Sequence, residues 1–220
     1  MIISASFRIL TKSRYINDLD EKGILLSHDM VTLETDVICA VGLGGGISLI
    51  HNCLKNKPRN SFIAIEASRN QINKALANIE LNKIDNDKFS IIEGYAGSQN
   101  SGIYGNSDQF ISKIINVNDI NFDVLELDCE GAELTILKDI TVKPKHIIVE
   151  MHPNLVDIDI GELSGIMLEK GYFLAFAFTV YGLSVPTDKI PNYFSKNHLE
   201  KIKNGESWGE NLLVVTFSLK

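Results

Sequence analysis

"VICAVGLGGGISL", residues 37–49, decides the fold. An apolar, β-prone run from Val37 to Val41 breaks into glycines. The chain then restarts as "GISLIHNCLKN" (46–56), where Ile47, Leu49, Ile50, Cys53 and Leu54 recur at helical spacing. A strand that enters a helix through a glycine turn opens a strand–helix–strand unit, and "SFIAIE" (61–66) reads as its second strand. Ser68 offers an N-cap to a helix over 69–83, with Ile72, Leu76, Ile79 and Ile84 expected along one face. Downstream, "KFSIIEG" (88–94), "FDVLELD" (122–128) and "KHIIVEMH" (145–152) read as strands, and "FISKIINV" (110–117) is a further candidate inside a loop rich in Gly, Ser and Asn. "GAELTILKDI" (131–140) and "DIGELSGIMLEKG" (159–171) read as helices, the second closed by Gly171. Such alternation predicts an α/β fold, a mostly parallel sheet with helices on both faces. No periodic helix separates "YFLAFAFTVYG" (172–182) from "NLLVVTFSL" (211–219), so these predict a C-terminal antiparallel pair at one edge. Residues 1–35 predict an N-terminal cap segment, too short for a core of its own, and 36–220 one domain.

Composition narrows the partners. The chain has 220 residues, 45% of them hydrophobic, and a formal net charge of −7, which argues against a general affinity for nucleic-acid backbones. Its densest basic cluster, "KNKPR" (55–59), reads as a solvated loop. Three cysteines, Cys39, Cys53 and Cys129, show no C-x-x-C spacing and predict reduced thiols. No run is long and apolar enough to span a bilayer, and the first residues lack the apolar core of a targeting segment. These features predict a cytoplasmic protein with no membrane partner.

Gly42, Gly44 and Gly46 let a ligand approach the backbone closely, and the helix behind them offers free N–H groups and a positive dipole end. About twenty residues on, Glu66 ends the second strand, where an acid can accept both hydroxyl protons of a ribose. The fingerprint of a dinucleotide site wants G-x-G-x-x-G, and its last position is occupied here by Ile47. The observed G-x-G-x-G fits an S-adenosylmethionine turn better than a nicotinamide site. A nicotinamide-dependent oxidoreductase is therefore the weaker alternative.

With these motifs in order, the chain resembles the FkbM-like methyltransferases, a branch of the class I S-adenosylmethionine-dependent enzymes. The resemblance covers roughly residues 35–155 and rests on "DVICAVGLGGG", "IEAS" with "NKALANIELNK", "FDVLELDCEGAELTIL" and "HIIVEMHP". It implies a Rossmann-like seven-stranded sheet with a final antiparallel hairpin, and methyl transfer from S-adenosylmethionine to a hydroxyl of a sugar or other small molecule. It places cofactor contacts at Gly42, Gly44, Gly46, Glu66 and Ala67, at Glu93, Tyr95 and Ala96 around the base, and at Asp128. One position departs from the family pattern. Ala40 stands two residues before the first glycine, where the family usually carries an acid, and Asp36 lies at the wrong end of the strand to replace it. A catalytically silent member of the fold is the rival reading that Ala40 supports.

The segment "FDVLELDCEGAEL" (122–134) crowds Asp128, Glu130 and Glu133 at the carboxyl end of a central strand, where open α/β sheets bind ligands. Asp128 is expected near cofactor and acceptor, Glu130 as a general base, and Glu133 on the helix's first turn as a complement to the dipole. His152, at the end of the next strand, is the other candidate base. Asp128, Glu150 and His152 also form a set able to hold a divalent cation, but a base or a structural histidine is preferred and no metal is assigned. Tyr104, Tyr181 and Trp208 are loop aromatics compatible with a substrate pocket.

Overall fold

Strand β1 (Ile38–Val41) lies inside the sheet, and all four of its residues are buried, as a parallel strand covered on both faces requires. The computed structural model describes residues 22–55, 61–97, 113–152, 160–195, 200 and 212–220. Around β1 it places β2 (Phe62–Glu66), β3 (Phe89–Glu93), β6 (Val124–Leu127) and β7 (His146–Met151), with β8 (Tyr172–Thr179), β9 (Ser184–Val185) and β10 (Leu213–Leu219) towards one side. The order is β3-β2-β1-β6-β7-β10-β8-β9. Strands β1, β2, β3, β6 and β7 run parallel, while β10 pairs antiparallel with both β7 and β8.

The expected C-terminal antiparallel pair is present, with the chain's last strand as its inner member. The two-residue β9 adds an eighth strand outside it. Of the candidate strand at 110–117, only Ile114–Ile115 (β5) is extended within the described residues. It pairs with Tyr95–Ala96 (β4) in a separate two-stranded ladder.

Period-2 alternation sends neighbouring residues into two cores. Cys39, Val41, Leu125, Leu127, Ile147 and Val149 face helices α4 (Glu133–Asp139) and α5 (Ile160–Glu169). Ile38, Ala40, Val124 and Ile148 face α1 (Lys22–Val31), α2 (Ile47–Lys55) and α3 (Arg69–Leu81). Within 1–35, α1 packs on β7, β8, β10 and α2, and Ile24 is buried in the second core.

Helix α3 begins as expected, with the Ser68 side chain accepting the Gln71 N–H, but its buried face differs. It is formed by Ile72, Ala75, Asn78 and Ile79, while Leu76 is 43% exposed. The cause is the glycine turn beneath. The Asn78 amide donates to the Gly45 carbonyl at 2.9 Å, and a Cβ on Gly46 would stand 3.1 Å from the Ala75 methyl. Small and polar side chains meet the turn, and the leucine is rotated out.

Candidate active site

Parallel strands ending at one level bring distant residues together. Val41 pairs with Ile65 and with Leu127, and Leu127 pairs with Val149. The residues just beyond, Gly42, Glu66, Asp128 and the Glu150–His152 segment, therefore share the carboxyl edge of the sheet. Gly42, Glu66 and Asp128 border an open cavity there, about 700 Å³ when the solvent at its mouth is included. Its wall includes Gly42, Gly44, Glu66, Ala67, Tyr95, Ala96, Asp128 and Glu130 from the expected set. Gly46 and Glu93 stand outside that wall. Gly46 packs on α3, and Glu93 forms an ion pair with Arg69.

The first glycine is dictated by the neighbouring strand. Gly42 has φ +92°, and a Cβ there would fall 1.7 Å from the carbonyl oxygen of Asp128. A Cβ on Gly44, by contrast, would meet nothing within 4 Å, so its backbone borders open space. Glu66 is buried beneath this turn. Its Oε2 accepts the N–H groups of Leu43 (2.9 Å) and Gly44 (3.2 Å), and Oε1 accepts that of Ser68 (2.7 Å). A carboxylate offers about four acceptor sites. Ligand hydroxyls at Glu66 would share or displace bonds that now brace the glycine turn.

The acidic turn answers why three carboxylates crowd one strand end. Glu133 is 2% exposed and its carboxylate points back under the turn. It accepts the N–H of Cys129 at 3.1 Å and of Gly131 at 2.8 Å, and Oε1 lies 2.9 Å from Nδ1 of His152. Its role is to tie the turn and orient the histidine, which corrects the expectation of a simple dipole complement. The turn carries backbone strain: Glu130 sits at φ +55°, a region that side chains seldom occupy, followed by Gly131 at φ +111°. His152 is 2% exposed and lies behind the cavity wall. Its Nε2 stands 3.7 Å from Asp128, 3.5 Å from Glu130 and 3.5 Å from Glu150.

Electrostatics follow from that packing. Burial alone would push His152 down, but the hydrogen bond to Glu133 and the nearby carboxylates of Glu150 and Asp128 hold it well above its usual value. Burial raises Glu130 above the usual carboxylate range. The His152 charge opposes that rise, and Glu150 and Glu133 add to it. Glu133 goes the other way: the bonds and charge of His152 outweigh burial and lower it. Cys129, which also lines the cavity, has its thiol pushed well up by burial and by Glu133 and Asp128, so it is a neutral thiol and no nucleophile.

A model of the methyltransferase FkbM domain matches residues 36–174 of the 220. The chain belongs to the FkbM methyltransferase family. No curated protein matches it in sequence. Among solved structures it is similar to the TrmK of M. capricolum in complex with S-adenosyl-homocysteine, at TM-score 0.53 and 14% identity, over 90% of this chain and 68% of that one. It is also similar to a ribosomal protein L11 methylase from Lactobacillus delbrueckii subsp. bulgaricus, at TM-score 0.52 and 14% identity over 89% and 76% of the two chains. A SAM-dependent methyltransferase from Aquifex aeolicus gives TM-score 0.52 and 11% identity over 91% and 89%. At these identities the likeness is one of fold.

Several residues of this FkbM domain carry structure that the sequence did not signal. Ala40 pairs in register with Glu126 on the adjacent strand, and Glu126 is 2% exposed. Its Oε1 accepts the Ser48 hydroxyl at 2.8 Å and its Oε2 lies 2.6 Å from Nε2 of His28. A buried carboxylate thus stands beside Ala40 and reaches the first turn of α2, one strand away from the position where an acid is absent. Within "FDVLELD" it was hidden by its apolar neighbours. Asp36 is at the opposite end of β1, where Lys145 lies 2.7 Å from it and the Leu33 N–H donates to it. Gln71, Gly94 and Ala132 also line the cavity, and no motif singled them out. Tyr104 and Trp208 lie outside the described residues; Tyr181 does not line the cavity.

Proposed function

We propose that this FkbM-family chain transfers the methyl group of S-adenosylmethionine to a hydroxyl oxygen of a small molecule or sugar. The observation that carries the reading is convergence. The glycine turn, Glu66 and the Asp128–Glu130 turn, separated by up to 88 positions (42 to 130), wall one open cavity at the sheet's carboxyl edge. The residues fit the cofactor: Gly44 leaves open space at the N-terminus of α2, and Glu66 offers carboxylate acceptors beneath it. Gly42, Gly44, Glu66, Ala67, Tyr95, Ala96 and Asp128 would hold it. When bound, its sulfonium supplies an activated methyl group. Glu130, raised by burial above its usual value and facing the cavity, takes the proton that the acceptor hydroxyl releases as its oxygen is alkylated. His152, held by Glu133, keeps its own proton and orients the acidic turn. The packing of α1 on the sheet supports reading residues 1–35 as a cap on this domain rather than a unit of its own.

Ala40 favours a second reading, a silent member of the family. Calorimetric titration with S-adenosylhomocysteine, followed by radiolabelled methyl-transfer assays against a panel of sugars and small hydroxylated molecules, separates the two. Micromolar binding with turnover supports the enzyme, and binding without turnover on any acceptor supports the silent member. Absence of binding removes the enzyme reading and leaves the silent member as a scaffold. Among the described residues no helix is long and apolar enough to cross a membrane.

A further inference from the structure

We infer that Asp128, Glu130 and His152, with Glu150 as a further charge beside the histidine, form a site for one hard divalent cation of the Mn²⁺ or Mg²⁺ type at the inner edge of the cavity. Three independent features of the chain converge there. The first is orientation. Glu133 can only accept at Nδ1 of His152, so that nitrogen carries a proton in either state, and Nε2 is the atom aimed into the cluster. A carboxylate that fixes a histidine by one nitrogen and frees the other is the usual support of a metal-binding imidazole. The second is spacing. Nε2 stands 3.5–3.7 Å from one oxygen each of Asp128, Glu130 and Glu150. A charge-assisted hydrogen bond would draw one of these oxygens to about 2.8 Å. Ligands about 2.1 Å from a shared cation stand roughly 3.0–3.4 Å apart instead. Ligand atoms of Asp128, Glu130 and His152 all lie within 4.8 Å of one another.

The third feature is charge. Without a metal, Glu130, Glu133 and Glu150 share a single cationic partner, His152, and no lysine or arginine among the described residues pairs with any of them; a cation would take the place of the Nε2 proton and release it. Glu150 is 7% exposed and His152 2%, so solvent does little to screen them. The carboxylates of Asp128 and Glu130 with one imidazole suit a hard cation, which keeps further positions for water or an acceptor oxygen. Asp128 and Glu130 line the cavity, so those positions open towards it. The existence of the site is independent of methyl transfer. Only its use, lowering the pKa of an acceptor hydroxyl, rests on the function proposed above.

The test is a titration of the metal-stripped full-length chain with Mn²⁺, followed by electron paramagnetic resonance and calorimetry. We expect one ion per chain, nitrogen modulation of the Mn²⁺ signal, and competition by Mg²⁺. Glu130→Gln and Glu150→Gln should each weaken binding at least tenfold, His152→Gln should abolish the nitrogen modulation, and Glu126→Gln should leave binding unchanged. Binding weaker than millimolar overturns the site, as does tight binding indifferent to both Glu130→Gln and Glu150→Gln. S-adenosylhomocysteine titrated into the same samples reports the cofactor cradle separately. Variants that keep its affinity are folded, and a chain that binds Mn²⁺ but no S-adenosylhomocysteine retains the metal site while losing the methyltransferase reading.

Discussion

At the scale of single residues, Gly42 and Gly44 look interchangeable in the motif but do different things. Gly42 lies against the Asp128 carbonyl, whereas Gly44 borders the cavity. Gly42→Ala should therefore cost at least ~2 kcal/mol, through a clash with backbone that cannot yield as well as an unfavourable φ. Gly44→Ala should cost about 1 kcal/mol, from φ alone, and act mainly on ligand affinity. Denaturant melts of the two variants check this, and equal losses would show the turn to be packed differently. Glu66 is a second case. Glu66→Gln keeps the side chain's size while replacing one acceptor oxygen with a donor that faces backbone N–H groups. We expect S-adenosylhomocysteine affinity to fall by tenfold or more in calorimetry. An unchanged affinity would place the ligand elsewhere.

At the scale of elements, the polar layer under α1 holds the N-terminal segment to the sheet. Glu126 bridges His28 of α1 and Ser48 of α2 in a fully buried setting. Glu126→Ala strands both partners, and we expect a loss of about 2 kcal/mol or more. A Glu126/Ser48 double-mutant cycle should show coupling above ~0.5 kcal/mol, and additivity would mean that the bond contributes nothing. Nearby, Asp29 on α1 accepts from His51 at 2.7 Å and pairs with Lys55 of α2. Burial would raise Asp29, but these two partners outweigh it and the net shift is downward. The carboxyl is then more acidic folded than unfolded. It contributes stability that is present above the unfolded value near about pH 3.9 and lost as pH falls through the folded one. Urea melts of wild type and Asp29→Asn should differ at neutral pH and converge as pH falls through the folded value. A gap that stays constant with pH would refute the linkage.

At the scale of the whole molecule, the last strand is an inner one. β10 joins β7 to β8 along six register pairs on one side and seven on the other. Residues 213–217 are buried, Phe217 fully. Deleting residues 212–220 would expose the paired edges of two strands and open the core. We expect no cooperative thermal transition and loss of the folded circular-dichroism signal; a deletion variant that still melts cooperatively would contradict this topology. The chain thus completes its sheet only when its final residues are in place, a long-range closure expected to slow folding.

The element types were legible because they rest on local physics. Period-2 burial, period-3.6 spacing, the Ser68 cap and the Gly171 stop each act over a few residues, so "VICAVGLGGGISL" could be read as strand, turn and helix without its neighbours. The glycine turn and Glu66 were legible as a pair for the same reason, both being strand-end features at a fixed separation. Pairings across space were settled only by tertiary structure. That Glu126 stands beside Ala40, that Leu76 turns outward because Asn78 meets Gly45, and that Glu133 reaches His152 all depend on sheet order and register. No local preference encodes these, because a buried polar side chain is defined by the partner it finds and that partner lies on another strand.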